Sequence, residues 1–134
     1  MREKLRVTGP VKGILLGVLL VALVPLCSCN RGADRQAAAM TGGDPTRGKA
    51  AIGRYGCASC HTIAGVRGAD GLVGPPLTGV ASRVYIAGVL QNTPENLIQW
   101  IQDPPKVDQK TAMPKLGVTE TDARDIAGYL YTLR

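Results

Sequence analysis

The sequence has 134 residues and a formal net charge of +6, with one Trp, four Tyr and no Phe. This length predicts one domain, and the scarcity of aromatic residues leaves that domain few large side chains with which to fill a core. Half of the net charge comes from the first twelve residues, and no basic stripe interleaved with aromatic residues follows. The composition therefore gives no support to a nucleic-acid partner.

The amino-terminal region has the pattern of a secretory signal peptide. Residues 1–12 are basic, and residues 13–26 form an apolar stretch without a charged residue. A membrane-spanning helix is the alternative, but it needs about 20 consecutive apolar residues. We therefore expect export, with a signal peptide over residues 1–28.

Two cysteines follow the apolar stretch. Leu26 lies three residues before Cys29, and Ser28 lies directly before it, a spacing that resembles a bacterial lipobox. Processing there would discard Cys27 and leave a lipidated Cys29, whose acyl chains are enough for stable anchoring. The prediction is a lipid anchor on the periplasmic side of a bacterial membrane, and an ordinary cleaved signal is the alternative.

Residues 29–43 are small and polar and show no apolar period. Such a composition buries too little apolar surface to fold, so it predicts a flexible tether. The folded domain is then expected over residues 44–134.

Start and stop signals predict helices in this domain. Asp44-Pro45 is an N-cap followed by proline at the first helical position, and it opens a helix to about Tyr55. The pair Thr93-Pro94 repeats this signature and opens a second helix, which the prolines at 104 and 105 end.

A last helix is predicted from Thr119, which forms a capping-box pattern with Asp122. Apolar residues then recur at helical spacing, namely Ala123, Ile126, Ala127 and Leu130. No stretch alternates with period two for long enough to make a strand. The predicted fold class is therefore all-α, with long loops rich in Gly and Pro.

The centre of the candidate site is Cys57-Ala58-Ser59-Cys60-His61. C-x-x-C-H is the attachment pattern for covalent haem, in which the two thiols bind the vinyl groups and the histidine binds the iron. A zinc site needs four N or S ligands, whereas the chain has one His and, apart from the Cys29 that lipidation would occupy, only two cysteines beyond the signal region. A thioredoxin-like motif needs a βαβ frame, and a plain disulfide leaves His61 without a role.

Haem iron takes a second axial ligand when it is six-coordinate. Met113 is the candidate, because Met1 belongs to the signal peptide and Met40 to the tether. It lies in a proline-bounded loop before the last predicted helix. A surface or core methionine in a turn is the alternative.

From Gly48 to Leu133 the chain resembles a class I cytochrome c. The resemblance implies three to five helices with long loops around one covalent haem c, and it makes residues 44–134 a monohaem domain. The sequence from Gly74 through Pro75 to Leu77 matches the family's G-P-x-L. The match implies that the Pro75 carbonyl accepts the second N–H of His61, and that Leu77 packs on the haem.

The resemblance implies further contacts around the haem. Arg83, Trp100 and Thr111 fall where the family has residues that bond a propionate or pack on the ring. Each position has a plain alternative: a solvated charge for Arg83, core filling for Trp100 and a turn cap for Thr111.

Gly48 and Ile52 resemble the family's first-helix pair, which crosses the last helix here at Ile126 and Tyr129. Five positions separate Ile52 from Cys57, where the family pattern has four. We therefore expect a bulge in the two residues before Cys57.

The resemblance implies electron transfer rather than catalysis. With His61 and Met113 both bound, the iron has no open position for substrate or gas, and this ligand pair raises the reduction potential. We expect a carrier between a cytochrome bc-type complex or periplasmic dehydrogenase and a terminal oxidase or reductase. We expect no small-molecule substrate.

Two other functions stay open. The chain could be the haem subunit of a dehydrogenase whose substrate reacts on another polypeptide, or a sensor or peroxidase with a displaceable axial ligand. Near Met113, Lys106, Lys110 and Lys115 form either a docking face or an ordinary solvated surface.

Overall fold

The computed structural model describes residues 29–134, with side-chain environments from Arg31 onward. The predicted signal peptide, residues 1–28, lies outside the described residues. Backbone contacts group Gly32–Arg134 into one unit, and this unit contains the candidate site.

Helices make up most of the regular structure in the described range. They are α1 (Cys29–Thr41), α2 (Pro45–Arg54), α3 (Pro94–Gln102), α4 (Pro104–Val107) and α5 (Glu120–Tyr131). Short 3₁₀ turns occur at Cys57–Ser59 and Val80–Ser82. A small hairpin pairs β1 (Tyr85–Ile86) with β2 (Leu90–Gln91), Tyr85 opposite Gln91 and Ile86 opposite Leu90. The predicted helix-rich fold is confirmed, and the two-residue strands are too short to produce a period-two pattern.

The predicted starts of α2 and α3 are confirmed by their caps. The Asp44 carboxylate accepts hydrogen bonds from the backbone N–H groups of Thr46 and Arg47 at 2.7 and 3.1 Å. Thr93 Oγ1 accepts from the backbone N–H of Asn96 at 3.2 Å. Both caps precede a proline at the first helical position, where no backbone donor is lost.

Only half of the predicted capping box at α5 forms. Thr119 Oγ1 accepts from the backbone N–H of Asp122 at 3.1 Å. The Asp122 carboxylate does not return the bond to the Thr119 backbone. It accepts instead from the Thr119 hydroxyl at 3.1 Å, from Tyr55 Oη at 2.8 Å and from Arg54 Nη2 at 2.7 Å. The short side chain of Asp122 thus links the end of α2 to the start of α5.

The prediction of a flexible tether over residues 29–43 is wrong for most of its length. Residues Cys29–Thr41 form α1, in which Ala37 and Thr41 are each 2% exposed. Three consecutive alanines favour a helix, and small residues four positions apart allow close packing. Gly128 of α5 provides the space, because a Cβ there would lie 3.2 Å from Thr41 Oγ1. The helix is stabilised by this long-range contact, which local composition does not encode.

Helices α2 and α5 make the most extensive packing contact, as the resemblance implied. Gly48 allows it, because a Cβ at that position would overlap the backbone carbonyl of Asp125. Ile52 and Ile126, at the same crossing, are 1% and 2% exposed. Tyr129 Oη then donates to the carbonyl of Ala64 at 2.7 Å, which fixes the loop after the C-x-x-C-H segment to α5.

Within residues 29–134, no helix is long and apolar enough to cross a membrane.

Candidate functional site

The Cys57–His61 segment is a tight turn that follows α2. Residues Cys57–Ser59 form a 3₁₀ turn, and the backbone N–H groups of Cys60 and His61 both donate to Cys57 O, at 3.3 and 3.0 Å. This turn brings Cys57, Cys60 and His61 to the wall of the same cavity. The two cysteines are not joined by a disulfide, and burial raises the pKa of the Cys57 thiol before any attachment.

The extra residue before Cys57 is accommodated by Gly56. Helix α2 ends at Arg54, and Gly56 then adopts a left-handed conformation with φ +70° and ψ +21°. Such a conformation is easily reached only by glycine. The chain therefore bends at the predicted bulge while the Gly48–Ile52 pair stays in contact with α5.

His61 is oriented by the backbone of the following loop. Its Nδ1 donates to the carbonyl of Pro75 at 2.7 Å, the pairing that the G-P-x-L match implied. Since a carbonyl can only accept, Nδ1 carries a proton, and in the neutral ring the lone pair then lies on Nε2. The neutral imidazole thus has a free Nε2 for a metal ligand bond.

Gly74 leaves room for the imidazole. A Cβ at Gly74 would lie 2.6 Å from His61 Nδ1, which is closer than atoms can pack. The backbone N–H of Gly74 also donates to Cys60 O at 2.7 Å. Glycine at this position therefore allows the loop backbone to lie against the face of the ring.

Further contacts on this loop were not recognised in the sequence. Thr62 Oγ1 donates to Gly71 O at 3.1 Å, and Leu77 N donates to Thr62 O at 2.8 Å. A Cβ at Gly71 would lie 2.6 Å from Ser59 O, so this glycine also permits close backbone approach. The sequence shows that this loop is rich in glycine, but it does not show which backbone atom each glycine approaches.

A cavity of about 610 Å³ occupies the middle of the domain. Its size falls within the range of about 300–1,000 Å³ that is typical of cofactor pockets. Apolar side chains from α2, α3 and α5 line it, including Ile52, Leu97, Ile101, Ile126 and Leu130. Of the five aromatic residues, Trp100 and Tyr85 contribute to the cavity wall.

The structure brings the remaining residues of the predicted haem site to this cavity. Leu77, Arg83, Trp100, Thr111 and Met113 all line it, and Trp100 is 8% exposed. Met113 is partly buried against the core. Thr111 Oγ1 accepts from the backbone N–H of Met113 at 3.1 Å, so Thr111 shapes the loop that carries the thioether. Arg83 Nη2 donates to the carbonyls of Pro76 and Thr78.

Asn92 also lines the cavity, and no sequence pattern marked it. It follows β2 directly, and its role depends on partners that lie 12 and 39 residues away, at Val80 and Tyr131. Such contacts have no local spacing signature. Thr93-Pro94, the helix start beside it, was the only signal in that part of the sequence.

The three lysines near Met113 are not equivalent. Lys115 Nζ lies 2.5 Å from Asp103 Oδ2, and the Lys115 ammonium holds the pKa of Asp103 below its usual value. Lys106 and Lys110 are exposed. Pairing of Lys115 with an acid reduces the positive charge that it adds to this surface.

These features define a class of protein. Two thiols, an imidazole with a free Nε2 and a thioether surround one apolar cavity in a helical domain, and this donor set fits a haem whose ring fills the cavity. A small haem protein is the class to which such a fold and site belong.

The chain belongs to the cytochrome c family. The family model described as Cytochrome c matches residues 45–134, which include α2 to α5 and the whole cavity wall. Membership implies covalently bound haem c and electron transfer.

The chain is also similar to a protein described as cytochrome c oxidase subunit 2, from Alkalihalophilus pseudofirmus. The two are 34% identical over 89 residues, which is 66% of this chain and 25% of that relative. The chain thus spans about a quarter of the relative's length. No solved structure matches significantly.

Proposed function

We propose that the domain is a monohaem electron carrier, with haem c attached to Cys57 and Cys60 and with His61 and Met113 as axial ligands. The observation that carries the proposal is the bond from His61 Nδ1 to Pro75 O, which commits one nitrogen to the protein and leaves the other for iron. Met113, which lines the same cavity, is the proposed second ligand. Bound haem c supplies a one-electron couple between the ferric and ferrous states.

The protein's own residues keep this site closed and rigid. Pro75 O holds the proton on His61 Nδ1, which fixes the tautomer and strengthens the imidazole as a ligand. Apolar side chains such as Leu77 and Ile126 exclude water. Thr111 orders the Met113 loop through its hydroxyl. One electron enters or leaves, and no bond is made or broken in the protein.

Electrons would come from a cytochrome bc-type complex or a periplasmic dehydrogenase and pass to a terminal oxidase or reductase. Cytochrome c domains are typically exported, which supports an extracytoplasmic location. Lipidation of Cys29 would then keep the carrier at the periplasmic side of the membrane, close to membrane-bound partners.

The experiment that tests this function replaces Met113 with alanine. Met113→Ala should keep the haem, because both thioether bonds remain, but it should abolish the weak near-infrared band of the sulfur–ferric bond and lower the reduction potential. It should also open the iron to carbon monoxide. Met40→Ala is the matched control, since Met40 is 45% exposed on α1 and should change neither property. Rapid carbon monoxide binding by the unmutated protein would favour a sensor or peroxidase instead.

A second candidate function is the electron-transfer subunit of a larger enzyme. The observation that favours it is that the matching 89 residues form a quarter of a protein described as an oxidase subunit. Purification from the native membrane without denaturation discriminates the two. A free carrier runs alone on a sizing column, whereas a subunit elutes with a larger oxidase or dehydrogenase.

A further inference from the structure

The side chain of Asn92, which follows β2, connects the hairpin to the Val80–Arg83 segment and to α5. Its Nδ2 donates to the carbonyls of Val80 and Arg83, both at 2.8 Å. Its Oδ1 accepts from Tyr131 Oη at 2.8 Å. The single amide therefore uses both its donors and its acceptor to connect the Val80–Arg83 segment to α5.

The connected segment carries a charge at the cavity. Arg83 follows the 3₁₀ turn Val80–Ser82 and lines the cavity wall. Its Nη2 donates to the carbonyls of Pro76 and Thr78 on the loop that also holds His61. Asn92 thus holds the backbone carbonyl of Arg83, whereas the loop carbonyls hold its guanidinium.

Tyr131 fixes the other side of the junction. Its side chain is buried on α5, at 7% exposure, and burial together with the nearby charge of Glu95 raises its pKa to about 12. The phenol therefore keeps its proton near neutral pH and can donate it to Asn92. The same region is reinforced by the backbone bond from Ala81 N to Leu133 O at 3.1 Å.

We propose that Asn92, held by Tyr131, is a positioning residue that fixes the charge of Arg83 at the cavity wall and thereby raises the reduction potential of the bound haem. The inference rests on the proposed function. The oxidised site carries one more positive charge than the reduced site, so a fixed nearby cation disfavours oxidation. Arg83 is exposed, so salt screens part of its charge, and an arginine that was not held at the wall would be screened further and would have a smaller effect.

The test measures reduction potentials of the full-length holoprotein by spectroelectrochemistry. Arg83→Gln should lower the potential. Asn92→Ala should lower it by a smaller amount, and Tyr131→Phe, which removes one hydroxyl, should shift it in the same direction. Asn96→Ala is the matched control: Asn96 Nδ2 donates to Gln91 O at 2.9 Å on the same hairpin and not to a carbonyl of the Arg83 segment. The control should leave the potential unchanged.

A double variant separates positioning from a general structural effect. If Asn92 acts through Arg83, then Asn92→Ala should add no further shift in the Arg83→Gln background. A shift that persists there overturns the proposal, because Asn92 would then act on the site directly. If Asn92→Ala fails to fold, an unchanged potential in Tyr131→Phe overturns it equally.

The failure of this inference can be told from the failure of the proposed function. Each protein is first checked for the pyridine haemochrome spectrum of a doubly attached haem. If the unmutated protein lacks that spectrum, the proposed function and the positioning role are both wrong. A normal spectrum with no shift in either Asn92→Ala or Tyr131→Phe overturns the positioning role alone.

Discussion

Asp125 is a carboxylate on α5 that is only 2% exposed. It accepts from the backbone N–H of Asp44 at 2.6 Å and from Arg47 Nε and Nη2 at 2.7 and 2.9 Å. Burial acts to raise the pKa of Asp125, but the hydrogen bonds from Arg47 and Asp44 outweigh it and hold the pKa below the usual 3.8. The ionised carboxylate of Asp125 thus links α5 to the start of α2.

This arrangement predicts a specific acid sensitivity. Because the folded-state pKa of Asp125 is lowered, its contribution to stability is complete above pH 3.8 and is lost as the pH falls through the lower folded-state value. Asp125→Asn should reduce stability near neutral pH. The NH₂ group of the asparagine would replace one of the oxygens that accept from Arg47, and two donors cannot form a hydrogen bond with each other. The stability of the Asp125→Asn variant should also depend less on pH in the acid range than that of the unmutated protein.

Denaturant unfolding of the holoprotein at neutral and acid pH measures both effects. Asp70→Asn, which changes an exposed carboxylate on the loop after the haem-attachment segment, is the control and should behave like the unmutated protein. Equal acid sensitivity in the unmutated protein and in Asp125→Asn would contradict the role given to this carboxylate.

At the scale of elements, the contact between α2 and α5 is set by where glycine occurs. A Cβ at Gly48 would lie 3.0 Å from Ile126 N and would overlap the Asp125 carbonyl, whereas a Cβ at Gly53 meets nothing within 4 Å. Both residues lie in α2, so helix propensity acts on them alike. Only tertiary packing distinguishes them.

Alanine substitutions in α2 should therefore have opposite effects. Gly53→Ala should stabilise the fold by about 0.5–1 kcal/mol, because alanine favours the helix and fits the space. Gly48→Ala should destabilise it by about 1–3 kcal/mol or more, because the two helices must separate. Thermal unfolding of both variants beside the unmutated protein gives the comparison. Destabilisation of similar size at both positions would show that the crossing is not as close as described.

At the scale of the whole molecule, charge decides how partners approach. If the surface around Met113 is a docking face, its charge comes mainly from Lys106 and Lys110, because Lys115 is paired with Asp103. Reversing both lysines to glutamate should slow association with the native electron acceptor more than it changes dissociation. Added salt should slow association of the unmutated protein with this acceptor, because the Debye length falls from about 10 Å at 0.1 M to about 3 Å at 1 M.

Stopped-flow kinetics at several salt concentrations measures this association. Lys49→Glu, which reverses one exposed charge on α2, is the control for charge reversal on another helix. If the association rate changes neither with salt nor on reversal of Lys106 and Lys110, this surface is not a docking face. The lysines are then an ordinary solvated surface.

The proposed anchor also concerns the whole molecule. We predict that the mature protein begins at an acylated Cys29, that Cys29→Ser releases it or leaves a precursor, and that Cys27→Ser does neither. Intact-mass measurement checks the amino terminus. Any other mature amino terminus would exclude lipidation at this position.

The sequence by itself was enough for features that depend on neighbours in the chain. The caps at Asp44 and Thr93, the attachment motif and the glycine before Pro75 are all determined by short-range geometry, in which a few adjacent residues fix the backbone. The family resemblance also implied the His61–Pro75 bond, because its partners lie in two recognisable motifs.

Only the tertiary structure decided the features that depend on distant partners. Residues 29–41 show no apolar period, yet they form α1, because the fold buries Ala37 and Thr41 and brings Thr41 against Gly128 of α5. The Asn92–Tyr131 bond and the Lys115–Asp103 pair have the same cause. Burial and hydrogen-bond partners follow from which segments the fold brings together, and residue spacing carries no record of them.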